Sequence, residues 1–253
     1  MVSSKPTIVI VHGGWQRQYQ YEALAEGLAE KGFEVLRPEN ATAGEDISQL
    51  KGKTYLDDVD VIRDIIETPL AAGKEIILVC HSYAGIPASA AAEGYQVHER
   101  KQKGLAGGIK HVVYLAAVAL PAKGLSLLAA IGGSYPPWME KQGDVITINE
   151  NGKDALFNDY DSETASRLLA GCVYQGTLSL ETPSAFAAVD VGVPKTYVVC
   201  ELDRAVPVEA QLGMAGALGE GTNIVRVQSG HSVYGNHKVL PDLLKAIEQA
   251  ADA

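Results

Sequence analysis

The order of patterned segments along this chain predicts an α/β fold, with a mostly parallel central sheet and helices on both of its faces. Two observations carry that reading. Short apolar, β-branched runs at 7–11, 76–80, 195–200 and 224–227 alternate with segments whose apolar residues recur at helical spacing. The run at 76–80, Ile-Ile-Leu-Val-Cys, contains no polar residue at all, as expected of a strand buried on both faces. Strands that alternate with helices are joined by right-handed crossovers, which makes the sheet parallel. A chain of 253 residues, 47% hydrophobic and 21% charged, has the composition of a folded globule and the length to bury a core without staples.

The elements follow in order. The run at 7–11 ends at His12-Gly13-Gly14, and Tyr21, Leu24, Leu28 and Ala29 then mark one face of a helix. Gly32 closes that helix, 33–36 reads as a second strand, and Arg37-Pro38 stops it. Leu56, Val59, Ile62, Ile65 and Ile66 space one buried face of a helix over 54–70, ahead of the strand at 76–80. Small residues predict a helix over 84–92, and the charged stretch 99–104 reads as a solvated loop. Strands are expected at 111–120, 195–200 and 224–227, with a closing helix over 238–251.

Between 121 and 194 the alternation breaks. Gly132-Gly133, Pro136-Pro137 and Trp138 come first, followed by two short helical stretches within 155–170. Structureless loops of that length are uncommon in compact domains, so a small helical cap is expected over 122–194, inserted into a core built from 1–121 and 195–253. There is no internal repeat and no low-complexity tract.

Composition excludes several function classes. A net charge of −10 and the absence of a Lys/Arg stripe argue against nucleic acid as a partner. Cys80, Cys172 and Cys200 are odd in number and widely spaced, which fits neither a disulfide framework nor a zinc set and suggests a reducing compartment. The opening Met-Val-Ser-Ser-Lys-Pro leads into an apolar run too short for a signal peptide, and no stretch is long enough to cross a bilayer. A cytoplasmic location with no membrane partner is the expectation. His98, His111 and His237 have no ligand spacing around them, so neither a metal nor a cofactor is expected.

The chemistry-bearing residues sit at strand ends. The strand at 76–80 runs into His81-Ser82-Tyr83-Ala84-Gly85 and then a helix, the context of a nucleophile elbow. Such a turn strains the serine and brings its backbone close to its neighbours, so the residues two before and two after must be small. Here they are Cys80 and Ala84, where glycine is usual at both positions. A serine hydroxyl needs a base, and the base needs a third group to hold its tautomer. Asp203 follows the strand at 195–200, and His231 follows the last strand, in the chain order serine, acid, histidine. Glu201, two residues before Asp203, is the rival acid.

His12-Gly13-Gly14-Trp15, His81-Ser82-Tyr83-Ala84-Gly85, Asp203-Arg204-Ala205-Val206-Pro207 with Gln211, and Gly230-His231-Ser232 together make the chain resemble the α/β-hydrolase superfamily. Within it, the chain is similar to the methyl esterase and hydroxynitrile lyase group. The resemblance covers nearly the whole chain and implies the α/β-hydrolase fold. It also implies a catalytic triad of Ser82, His231 and Asp203, and an oxyanion hole made by the backbone amides of Gly14 and Tyr83. His12 is expected to organise the oxyanion loop and, with Trp15, to border the substrate. Tyr135, Trp138 and Tyr160 in the cap either line an apolar pocket or pack the cap onto the core.

The expected activity is hydrolysis of a small or aromatic carboxylic ester or lactone through an acyl-enzyme. A serine nucleophile argues against the dehalogenase and epoxide hydrolase branches, which resemble this fold but attack with an aspartate. A hydroxynitrile lyase or other carbon-carbon bond lyase uses the same triad as a base. In those lyases a threonine usually follows the first loop histidine and a lysine follows the catalytic one, where this chain has Gly13 and Ser232. The remaining alternative is a noncatalytic ligand-binding relative that retains a triad. A homodimer through the cap is an expectation by analogy with related folds.

Overall fold

The computed structural model describes residues 5–253, so residues 1–4 of the leader reading lie outside the described residues. Ten strands follow one another: β1 Thr7–Val11, β2 Glu34–Leu36, β3 Ala43–Gly44, β4 Glu75–His81, β5 Gly108–Leu115, β6 Met139–Gln142, β7 Val145–Ile148, β8 Tyr174–Gly176, β9 Lys195–Cys200 and β10 Asn223–Val227. Six of them form one sheet in the order β10-β9-β5-β4-β1-β2, with every neighbouring pair parallel.

Side-chain alternation along these strands separates two cores. Val9, Val11, Ile76, Leu78 and Cys80 face the helices Tyr55–Ala71 and Gly85–Ala91, while Ile8, Ile10, Ile77, Val79 and Val113 face Glu22–Glu30 and Leu240–Asp252. Both faces are therefore dry, which is why β4 reads as an unbroken apolar run. The helix over Tyr55–Ala71 starts where a capping box sits: Thr54 Oγ1 accepts from the Leu56 amide at 3.2 Å and Asp57 Oδ2 accepts from the Thr54 amide at 2.8 Å.

Register decides what lies next to what at the carboxyl end of the sheet. Val11 pairs with Cys80, His81 with Leu115, and Val227 with Cys200. The loop after β1 thus leaves beside the turn after β4, and the loops after β9 and β10 leave together. The chain winds outward from β1 to β2 and returns on the other side through β4, so a crevice opens between the β1 and β4 loops, where open α/β sheets bind ligands.

Several sequence expectations are refined. The charged stretch expected to be a solvated loop is the short helix Val97–Gln102. Gln96 and Glu99 form a box at its start, and Arg100 and Lys101 complement its last turn. The strand expected over 111–120 spans Gly108–Leu115 instead: Ala116 turns the chain at φ 42°, and 117–120 continue buried but outside the ladder. The helix Val208–Ala217, not singled out in the sequence, follows Pro207. Within 122–194 the helices Gly152–Phe157 and Ser162–Ala170 are present, but so are three strands of a second, antiparallel sheet in the order β3-β8-β7-β6, whose edge strand β3 comes from 43–44. Its β6–β7 hairpin closes over Gly143-Asp144, with Gly143 at φ 65°. Gly-Asp is a two-residue hairpin signal, but the flanking segments do not alternate apolar with polar, so the pairing was not marked by periodicity. No helix among the described residues is long and apolar enough to cross a membrane.

Leu78 lies wholly buried on β4, one of the two central strands of the sheet, flanked by β1 and β5. Leu78→Ala is expected to lower the free energy of unfolding by about 2–5 kcal/mol, through lost burial plus a cavity that close-packed neighbours cannot fill. Urea titration with an unchanged slope checks it.

Candidate active site

Ser82 sits at the first position after β4 with φ 54°, a conformation costly for a residue with a Cβ. The other non-glycine residues with positive φ among those described are Trp15 at 60° and Ala116 at 42°, after β1 and β5. Strain is concentrated where the three loops converge. The turn is tight on both sides: a Cβ on Gly13 would lie 2.8 Å from His81 Nδ1 and 3.2 Å from Ser82 Cβ, and one on Gly85 would lie 2.6 Å from the Val118 carbonyl oxygen. Ala84 is small and buried, as the size rule requires, but the closest approach behind the elbow is made at Gly85. The Val118 amide in turn donates to the Ser82 carbonyl at 2.9 Å.

His231 Nε2 lies 2.8 Å from Ser82 Oγ, and His231 Nδ1 lies 2.8 Å from Asp203 Oδ2. A carboxylate only accepts, so Nδ1 carries the hydrogen and Nε2 is left free to take a proton from the serine. Asp203 is itself held: Oδ1 accepts from the amides of Ala205 at 2.8 Å and Val206 at 2.9 Å, and Oδ2 from Gln211 Nε2 at 3.2 Å. Gln211 also bridges the end of β9, accepting from the Cys200 amide at 2.9 Å. The rival Glu201 points elsewhere, to Arg226 Nε at 2.6 Å.

The amides of the loop after β1 are divided between uses. Gly13 N–H donates to Tyr21 Oη at 2.9 Å and Trp15 N–H to Gln175 Oε1 at 3.2 Å. Gly14 N–H, between them, meets no acceptor among the described residues. The Tyr83 amide lies in the first turn of the helix that follows the elbow, where amides have no intrahelical partner. The Tyr83 side chain is tied down behind it, donating to Asp58 Oδ2 at 2.6 Å; Asp58 also accepts from the Thr42 amide and hydroxyl at 2.9 and 2.6 Å.

A cavity of about 860 Å³ opens over Ser82 and His231. Its wall is overwhelmingly apolar, with Trp15, Leu125, Trp138, Met139, Pro207 and Met214 in it, and Arg204 as its one side chain of fixed charge. Trp138 stands edge-on to Trp15 at a centroid separation of 5.8 Å. Trp15 Nε1 donates to the Ile146 carbonyl at 2.8 Å, which satisfies the indole and fixes the ring.

Three residues expected near the substrate lie elsewhere. His12 is buried behind the loop after β1: its Nδ1 donates to the Gly13 carbonyl at 2.8 Å and its Nε2 accepts from the Asn40 amide at 2.9 Å, which leaves no face for a ligand. Tyr135 turns away to donate to Glu181 Oε1 at 2.8 Å. Tyr160 donates to the Ser232 carbonyl at 2.7 Å and so belongs to the support of the histidine loop. None of the three is in the cavity wall.

His81, read from the sequence as a mere elbow side chain, has a larger part. Its Nε2 donates to the His231 carbonyl at 2.9 Å, so its Nδ1 accepts, here from Tyr21 Oη at 2.7 Å. Gln16 completes this buried group, with Oε1 facing Tyr21 and Nε2 donating to Tyr234 Oη at 2.8 Å. The signal for such residues is a polar side chain in an apolar context, and sequence alone does not say which partner satisfies it. Among the described residues no three His, Cys, Asp or Glu side chains converge as a metal-holding group.

The sequence of residues 8–240 matches the description of the alpha/beta hydrolase family. The chain belongs to that family. Among alpha/beta hydrolases it is 29% identical over 232 residues to "Alpha/beta hydrolase nvfD" of Aspergillus novofumigatus, covering 90% of each chain. It is 28% identical over 241 residues to "Probable hydrolase R7" of a Phoma species, covering 90% of this chain and 91% of the other. Among solved structures, a pyrethroid hydrolase from Sphingobium faniae superposes with a TM-score of 0.76 at 21% identity, over 98% of each chain. Similarity that low in sequence and that extensive in space shows a shared alpha/beta hydrolase fold.

Burial drives the His81 pKa well below the ordinary histidine value, and the neighbouring His231 adds to the effect. Folded His81 therefore stays neutral while the unfolded chain takes up a proton near pH 6.5, so this residue's contribution is intact above that pH and is lost progressively below it. His111, lowered to about 4 mainly by burial, adds to the same slope. Chemical unfolding at pH 7 and pH 5 is expected to show His81→Gln with a shallower loss than the parent, by up to about 1.4 kcal/mol per pH unit.

Proposed function

We propose that the protein is a serine hydrolase of carboxylic esters or lactones, with Ser82 as nucleophile, His231 as general base and acid, and Asp203 as the orienting carboxylate. One observation carries this reading: a serine on a strained strand-to-helix turn, within hydrogen-bond reach of a histidine whose other nitrogen meets a buried carboxylate, beneath an apolar cavity. In the first half-reaction Ser82 Oγ attacks the ester carbonyl as its proton passes to His231 Nε2. Negative charge builds on the carbonyl oxygen, where the free Gly14 amide and the first-turn amide of Tyr83 are the available donors. The tetrahedral adduct collapses, the imidazolium returns the proton to the departing alkoxide, and an acyl-Ser82 ester remains. Water, deprotonated by the same nitrogen, then releases the acid and restores the serine.

The imidazolium formed twice per cycle is compensated by the Asp203 carboxylate, which three further donors hold in place. The relatives named hydrolases, and the polyneuridine aldehyde esterase that superposes with a TM-score of 0.76, support hydrolysis on this framework.

Cavity size and chemistry bear on the substrate. A volume of about 860 Å³ is near the top of the roughly 300–1,000 Å³ of small-molecule pockets, more than a small ester fills. Arg204, the fixed charge in the wall, is paired with Asp154 at the surface. An uncharged ester with a bulky apolar or aromatic group fits that wall best.

Fluorophosphonate labelling with peptide mapping is expected to modify Ser82. Ser82→Ala is expected to lower kcat/KM by about ten-thousand-fold or more, leaving what the oxyanion donors and binding supply. Over p-nitrophenyl esters of increasing chain length, kcat/KM should rise by up to roughly fourfold per methylene that enters the cavity. Unlabelled Ser82 together with unchanged turnover in Ser82→Ala rules the serine mechanism out.

A further inference from the structure

Between the cap helices Gly152–Phe157 and Ser162–Ala170, three consecutive side chains leave the cap and bind the loops that carry Asp203 and His231. Asn158 Nδ2 donates to the Leu202 carbonyl at 2.9 Å, one residue before Asp203. Asp159 Oδ2 accepts from the Gly230 amide at 2.6 Å, from Ser229 Oγ at 2.9 Å and from Asn236 Nδ2 at 2.8 Å. Tyr160 Oη donates to the Ser232 carbonyl at 2.7 Å. His231 is thus held through its backbone neighbours on both sides, and the two loops are joined directly where the Leu202 amide donates to the Ser229 carbonyl at 3.0 Å.

The fit is close enough to dictate a residue type. A Cβ on Gly230 would lie 2.5 Å from both Asn158 Oδ1 and Asp159 Oδ1, two buried oxygens with no hydrogen-bond partner among the described residues. Only glycine lets the histidine loop come this near to the cap. A Cβ on Gly235 would meet Tyr160 Oη at 2.9 Å.

We propose that Asn158-Asp159-Tyr160 is a positioning clamp through which the cap sets the geometry of the Ser82–His231–Asp203 relay, in addition to forming part of the pocket. The proposal rests on the reading of those three residues as the working triad. Among the described residues Asp159 is the charged acceptor that bonds this loop from the cap side, gathering three donors at one oxygen, while on the sheet side the His231 carbonyl is fixed by His81. A charged acceptor makes stronger hydrogen bonds than a neutral one. Misplacing a reacting group by about 1 Å is enough to slow a step about a hundredfold.

The test uses the full chain with Asp159→Leu, Asp159→Asn and Tyr160→Phe. Leucine keeps the branching of aspartate, with more bulk and no acceptor, whereas asparagine keeps one oxygen for the three donors. Hydrogen exchange followed by mass spectrometry reads the clamp directly, and the rate of fluorophosphonate labelling at Ser82 reads the relay. Asp159→Leu is expected to raise exchange over 228–236 and to slow labelling about tenfold or more, lowering kcat with KM little changed. Asp159→Asn should stay within about threefold of the parent, and Tyr160→Phe should shift both readouts in the same direction by less. Wild-type exchange and labelling in a folded Asp159→Leu overturn the proposal, as does a raised KM with intact kcat, which would place the segment on the substrate. If the leucine variant does not fold, Tyr160→Phe decides by the same two readouts. Failure of the parent itself to label at Ser82 overturns the hydrolase reading, and exchange over 228–236 then still reports on the clamp.

Discussion

The site depends on the in-register termination of parallel strands along one edge of the sheet. Because Val11 pairs with Cys80 and Val227 with Cys200, the loops after β1, β4, β9 and β10 leave at the same level. Three side chains and two amides distant in sequence then meet without any one loop having to be long. Parallel pairing is buried pairing, and the two dry cores on either face hold this register, since a one-residue slip would turn every apolar side chain to the wrong face. The strain at Ser82, Trp15 and Ala116 is carried by that rigid platform.

Behind Ser82, His231 and Tyr83 lies a second tier of buried polar groups that fixes orientation. His81, Tyr21, Gln16 and Tyr234 form one connected group under the His231 loop, with the Tyr21 and Tyr234 rings stacked at 3.9 Å. Asp58, Thr42, Tyr83 and Gln175 form another, and Gln175 joins it to the Trp15 amide. Each group is costly if partly satisfied and rigid if satisfied, so these residues specify one arrangement of the loops rather than adding much net stability. A neutral, desolvated His81 is what allows an imidazole to sit beside the His231 ring, 4.8 Å away between centroids, without competing for its proton.

The cap contributes twice. Its apolar side chains, Trp138 and Met139 among them, close over the cavity, while Gln175 and the segment after Phe157 tie it by hydrogen bonds to the loops of the site. An apolar wall excludes water and so strengthens each electrostatic contact around Ser82 and His231. The cavity wall and the hydrogen bonds to the loops of Asp203 and His231 are therefore built from neighbouring parts of one insertion.

Most of the sheet was legible in the sequence because doubly buried strands are short, apolar and bounded by helical patterns. The positions of Ser82, Asp203 and His231 were legible because each lies within four residues of the end of a strand, in the order serine, acid, histidine. Other features were not, and for definite reasons. The helix Val97–Gln102 is charged all round and is stabilised by local capping, so it lacks an apolar stripe. Whether Tyr135, Trp138 and Tyr160 faced a ligand was undecidable from residue type, since all three are amphipathic rings. Tertiary packing sent Trp138 to the cavity, Tyr135 to Glu181 and Tyr160 to the Ser232 carbonyl. Likewise His12 and His81 became supports because the carbonyls of Gly13 and His231 lie where their donors can reach. The sequence by itself determined the order of strands, the elbow and the residues offered for chemistry, because those follow from local periodicity and chain order. Only the tertiary structure decided which polar side chains are partners and how large and apolar the cavity is, because hydrogen bonds and voids arise between segments as much as 218 residues apart.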